Sequence, residues 1–111
     1  MYAVKQGLAR VDDVLVDTFS RKLDYGDSQI TVEAGTTGFS DADDDKAGTR
    51  CLVSIRKNKG DFYAGVSKNK QSGGTDGIDI AVSGNDAIYN LIRALMFAAE
   101  ALTDQITDID E

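Results

Sequence analysis

Histidine, proline and tryptophan are absent from this chain of 111 residues, and cysteine occurs once. Without histidine, the commonest general base, the usual imidazole metal ligand and the natural switch near neutral pH are all missing. A lone Cys51 excludes an intrachain disulfide and any thiolate zinc site. With no proline, tight turns fall to the eleven glycines and to Asn and Asp. Long apolar runs are missing too, and none approaches the roughly 18 to 20 residues that a membrane span needs. The N-terminal "MYAVKQGLARVDDVLV" lacks the basic, apolar, small-residue order of a signal peptide. The expectation is a cytoplasmic protein with no membrane contact, or one packaged by something that assembles in the cytoplasm.

What is present is ordinary globular composition, 41% apolar and 28% charged. The length suits one domain with a single modest core. The net charge is −7 and the isoelectric point about 4.4, which suits a basic partner and disfavours DNA binding by the whole surface. The charge is not evenly spread. Residues 50 to 70 hold six Lys/Arg and one acid, Asp61, for +5, so the remaining ninety residues carry 6 − 18 = −12.

Along the chain, Val4, Leu8, Val11, Leu15 and Phe19 recur at helical spacing, with Asp12, Asp13, Asp17 and Arg21 elsewhere. This predicts an amphipathic helix over residues 4 to 20. The competing reading is a strand through "VLVDTF", where Val14, Val16 and Thr18 are β-branched and alternate. "DYGD" reads as a turn. "SQITVEA" alternates, with Ile30, Val32 and Ala34 on one face, and is a half-buried strand. "GTTGFSDADDDKAG" (35 to 48) has no period and reads as a long surface loop.

The basic stretch resolves into two strands joined at "NKGD". Cys51, Val53 and Ile55 share one face of the first, while Phe62, Ala64 and Val66 share one face of the second. Pairing Ile55 with Ala64 and Val53 with Val66 makes both apolar faces coincide, and sets Tyr63 across from Arg56 on the outer face. "IDIAV" is a fourth strand. In "SGNDAIYNLIRALMFAAEALTD", Ser83 can cap a helix with Asp86 in its first turn. About 19 residues, 86 to 104, would run roughly 28 Å. Ile88, Leu91, Ile92, Leu95, Ala99 and Leu102 form its core stripe, and the acidic tail from about 104 to 111 frays. The fold class expected is α+β: a four-stranded antiparallel meander covered on one face by the N-terminal helix and the long C-terminal helix.

Most chemistry-bearing patterns fail on inspection. Asp41, Asp43 and Asp45 occupy the first, third and fifth places of a calcium loop, but Lys46 stands where glycine makes the turn and Leu52 where a bidentate glutamate closes the shell. A solvated loop is the better reading, with weak divalent binding by 41 to 45 left open. Cys51 alternates with Val53 and Ile55 and reads as a core cysteine. "QSGGTDG" lacks the Lys and Ser/Thr of a phosphate loop and precedes a strand. No metal, cofactor or enzymatic activity is expected. On the helix, Phe97 falls almost opposite the stripe through Ile88, Leu95 and Leu102, beside Arg93 and Glu100, with Tyr89 and Met96 on the flank. Tyr89, Met96 and Phe97 are therefore the candidate oligomer interface.

Cations that track phosphates, with aromatics on which bases stack, hold single-stranded nucleic acid. Arg50, Arg56, Lys57, Lys59, Lys68 and Lys70 are the candidate phosphate contacts and Tyr63 the stacking residue. The bland reading is a lysine-rich sheet face that discourages edge aggregation. In element order, "LVSIRKNKGDFYAGV", "GIDIAV" and "SGNDAIYNLIRAL" resemble the Whirly and positive-cofactor-four group of single-stranded-DNA-binding proteins, over about residues 28 to 103. That resemblance implies a helix-mediated dimer whose basic sheet faces grip unpaired strands. The expected function is thus a non-enzymatic, homo-oligomeric module binding single-stranded DNA or RNA. The alternatives are an acidic phage-type protein that engages a basic protein by imitating nucleic acid, and a structural assembly subunit.

Overall fold

The computed structural model describes residues 4–38, 49–68 and 75–110, with the backbone alone at 66–68, 75–76 and 107–110. Its elements are β1 (Lys5–Val11), β2 (Val14–Tyr25), β3 (Ser28–Thr36), β4 (Cys51–Lys59), β5 (Tyr63–Lys68), β6 (Thr75–Ala81) and α1 (Asn85–Asp110). Strands β1 to β4 form an antiparallel meander in sequence order, and β5 and β6 form a separate two-stranded ribbon. The α+β class, a four-stranded antiparallel sheet and the long C-terminal helix are as expected, but β1 and β2 complete the sheet in place of the strands expected at β5 and β6. No helix among the described residues is long and apolar enough to cross a membrane. The expected 41 to 45 aspartate loop and Lys70 lie outside the described residues.

The N-terminal helix is not there. Residues 4 to 20 form β1 and the first half of β2, closed by a two-residue turn at Asp12 and Asp13, whose φ angles are 49° and 67°. Positive φ at both central positions is the turn that matches strand twist, and Asp tolerates it better than most side chains. The two acids expected on the polar side of a helix are instead the hairpin corner. Val14, Val16 and Thr18 then act as the β-branched residues of a strand. The second hairpin turns at Gly26 and Asp27, with Tyr25 opposite Ser28.

Cross-strand pairing sorts the side chains. Leu23 lies opposite Ile30, Val32 opposite Ile55, and Phe19 and Val53 flank Ala34. These residues share the side on which α1 rests. Leu23, Ile30, Val32 and Ala34 pack with Ala94 and Ala98 of the helix, joined by Ile55, Phe62, Phe97, Ala101 and Leu102. The helix lies over β3 and β2 and leaves the sheet's outer parts uncovered, so Val53 on β4 and Leu8 and Leu15 on the first hairpin are exposed. Cys51 is exposed for the same reason, not buried in the core as its alternation implied.

On the opposite side the sheet curls. β1 and β4, its two outer strands, approach each other, and Val16 becomes fully buried although no helix covers it. Gly35 permits the curl: a Cβ there would collide with the Asp17 carbonyl and with Thr18 of β2. Gln105 secures the same spot from the helix. Its side-chain oxygen accepts from Thr36 N–H at 3.0 Å, and its amide donates to the Asp17 carbonyl at 3.0 Å.

Near its start α1 is pinned by Asn90, which is fully buried. Its amide nitrogen lies 3.3 Å from the Leu23 carbonyl and 3.1 Å from both the carbonyl and the hydroxyl of Ser28. Gly84, not Ser83, holds the cap position, since its carbonyl accepts from Ile88 N–H. Asp86 reaches across to accept from Asp27 N–H at 3.1 Å. The helix also continues through the acidic stretch that was expected to fray, ending at Asp110.

Two substitutions test this packing. Gly35→Ala should cost about 3 kcal/mol or more, because the added methyl meets backbone that cannot yield. Asn90→Ala should cost about 2 kcal/mol by stranding buried acceptors. Urea unfolding followed by circular dichroism reads both, and a loss under 0.5 kcal/mol (a surface-like value) in either would contradict the packing described.

Candidate functional site

The β4–β5 hairpin on which the cationic platform was expected does not form. Ile55 pairs with Val32 rather than Ala64, and Ala64 pairs with Ile80 in the ribbon. β4 joins the meander through β3 alone and stays at the sheet's edge, while β5 takes β6 as its partner instead of that edge. Arg56 and Tyr63 therefore belong to different sheets. Lys57, opposite Ile30, falls on the helix side of the sheet, away from Arg56. Arg50 sits at the mouth of the curl, its Nε 3.8 Å from Asp12 of the first turn. Its backbone N–H donates to the Thr37 hydroxyl at 2.8 Å, and its carbonyl accepts from the Thr36 hydroxyl at 2.8 Å. Arg50 thus holds a strand end in place. Lys68 lies in β5 with its side chain among those not described.

A different cationic surface is assembled on the side of the meander that faces away from α1. Three successive cross-strand rows run Lys5, Ser20, Glu33, Ser54; then Lys22, Thr31, Arg56; then Asp24, Gln29, Lys59, the last brought to this side by a register shift at Gln29 and Ile30. In those rows four cations meet two carboxylates, a net +2 in a chain of net −7. Glu33 is engaged from both sides. It accepts the buried Thr18 hydroxyl at 2.7 Å and lies 3.5 Å from the Arg56 guanidinium. Asn58 donates to the Thr31 hydroxyl at 2.8 Å. These contacts hold hydroxyl, amide and guanidinium groups on one surface, where donors can meet an anionic backbone.

Lys5 and Lys22 were missed because residues 4 to 20 read as a helix, which scatters Lys5 away from the sheet. The signal was available in "SRKLDY", where Leu23 alternates with Lys22 and Asp24, so that Lys22 faces away from the core.

The second surface is the outward side of α1. Its small residues Ala87, Ala94 and Ala98 face the sheet, and Phe97 packs against the core rather than projecting outward. Of the stripe expected to be the core, Ile88, Ile92, Leu95 and Ala99 are exposed, with Ile92 at 50% and Met96 beside it at 58%, while Leu91 is half-buried and Leu102 packs against the core as expected. Tyr89 is held on the flank, its ring 4.6 Å from that of Tyr25 and 5.5 Å from the Arg93 guanidinium. So Tyr89 and Met96 are outward, as expected, and Phe97 is not. The expectation failed because α1 has two apolar sides, and periodicity alone does not say which one meets the sheet. Residues small enough to let helix and sheet approach, and an asparagine matched to Ser28, choose it.

No family model, no curated protein and no solved structure matches the chain.

Among the described residues no three His, Cys, Asp or Glu side chains gather as a metal site. The cleft at the start of α1, lined by Asp27, Asp61 and Asp86 with Ser83 and Asn85, is open and acidic. Arg56→Ala should change stability by less than about 1 kcal/mol, because its pair with Glu33 is exposed on the arginine side. A larger loss in thermal unfolding would mean that Arg56 is structural and not a group available to a ligand.

Proposed function

We propose that this chain is a non-enzymatic subunit of a homo-oligomer. One observation carries the reading: α1 is apolar on both sides, and only one side is covered by its own sheet. A contiguous exposed apolar stripe of this kind marks an interaction surface. Covering the exposed halves of Ile88, Ile92, Leu95 and Met96 gains about 1 kcal/mol each. The uncovered Leu8, Leu15 and Val53 add to the same deficit. The radius of gyration, 15.7 Å, exceeds the roughly 13 Å of a compact domain this size, as a chain with unpartnered parts should.

Light scattering on the purified protein tests this. The expected mass is a multiple of 11.9 kDa at micromolar concentration, falling to a single chain in Ile92→Asp/Met96→Asp. A wild-type monomer at tens of micromolar, about the level where a weak interface of micromolar affinity still forms, sinks the reading.

The cross-strand cations favour a second reading, in which the assembled subunits present the bare sheet face to single-stranded nucleic acid. Lys5, Lys22, Arg56 and Lys59 meet phosphates there, while Thr31, Asn58 and Gln29 supply hydrogen bonds. This keeps the expected ligand and moves it from the 50 to 70 segment to a surface drawn from β1, β2, β3 and β4. Oligonucleotide binding followed by fluorescence anisotropy should weaken in Lys22→Ala/Arg56→Ala. Its salt slope should fall by about 0.7 for each phosphate-binding cation removed. An oligonucleotide that fails to bind wild-type protein even at low salt removes this reading and leaves the first intact.

A further inference from the structure

Besides the outward side of α1, the β5–β6 ribbon is uncovered by the rest of the described residues. Its strands pair with each other, and among those residues the ribbon is otherwise almost out of reach of the meander and α1. Phe62, just before it, is tucked into the core, so the ribbon is anchored at its base and projects from there. A two-stranded ribbon by itself is marginal in water. It also has a sided pattern. Ala64 lies opposite Ile80, with Ile78 on the same side; Tyr63, Ala81 and Asp79 face the other way. Ile78 is 68% exposed.

Two apolar surfaces are therefore left uncovered among the described residues, a helix side and a ribbon side. Helix on sheet is the ordinary way to bury both. Their lengths are compatible: the seven residues of β6 extend about 23 Å, enough to cover the roughly 17 Å from Ile88 to Ala99. Two copies related by a twofold axis would satisfy both surfaces reciprocally, each helix receiving the other copy's ribbon. A chain of charge −7 is also a poor ligand for an anionic lipid surface, which would otherwise suit an apolar helix side.

Resting on the reading of the chain as a self-assembling subunit, we infer that the occupant of the outward α1 surface is the β5–β6 ribbon of a second copy, with Ile78 set against Ile92. This is an exchange of helix and ribbon, distinct from a contact of helix with helix.

Cross-linking separates the possibilities. In a Cys51→Ser background, Ile92→Cys and Ile78→Cys chains are co-expressed and treated with a short bis-maleimide. The expected product is a covalent pair joining position 92 of one chain to 78 of the other, identified by peptide mass. Ala81→Cys, on the opposite side of the ribbon, should give at least tenfold less product with Ile92→Cys (order of magnitude for two sides of a strand pair). Products joining 92 only to 92 would show helices meeting each other and overturn the inference. So would equal yields at 78 and 81, or an oligomeric mass with no 92–78 product. A monomeric mass for the Cys51→Ser parent would instead remove the self-assembly reading on which the inference rests.

Discussion

The buried Asn90 amide, set against the Leu23 and Ser28 backbone at the second hairpin turn, is the contact on which the arrangement depends. A buried amide left unpaired costs more than an apolar side chain gains at the same place. Asn90 therefore faces the strand ends, and the rotation of α1 follows. Ala94 and Ala98 come down on Ile30, Val32 and Ala34, while Ile88, Ile92, Leu95 and Met96 turn outward. At the far end Gln105 repeats the logic with Thr36 and Asp17, where Gly35 lets the strands close together. Two polar clamps and a floor of small residues hold the helix in a rotation that packs Phe97 and Leu102 against the core but turns Ile88, Ile92, Leu95 and Met96 outward.

That rotation links packing to function. With alanines at its closest approach to the sheet, α1 leaves Ile88, Ile92, Leu95 and Met96 about half exposed, the kind of apolar surface on which the proposed self-association rests. The exposed ribbon and the half-covered sheet point the same way. On the other side of the meander, strand alternation gathers Lys5, Lys22, Arg56 and Lys59 from strands spread across more than fifty residues of sequence. The surfaces proposed for self-association and for ligand contact thus lie on opposite sides of the sheet, so one would not obstruct the other.

Much of the architecture was legible because it rests on local pattern. Alternation in "SQITVEA" marked β3 with its buried face, "DYGD" marked a turn, and the apolar content from 86 onward marked a long helix. The first twenty residues were not, since Val4, Leu8, Val11, Leu15 and Phe19 fit a helix as well as a hairpin; the Asp12–Asp13 corner was the deciding feature. The β4–β5 register satisfied alternation, but β5 pairs with β6 instead and leaves β4 at the edge of the meander. The cationic surface inherited that error, and Arg56 and Tyr63 parted.

By itself the amino-acid order determined the element types beyond the first twenty residues, the absence of histidine and proline chemistry, and the segregation of charge along the chain, because these depend on residue identity and near neighbours. Tertiary structure alone decided which strand pairs with which, which side of α1 is inward, and which cations share a surface. Those choices compare contacts between residues far apart in sequence, and the comparison turns on shape and buried hydrogen bonds that no local period records.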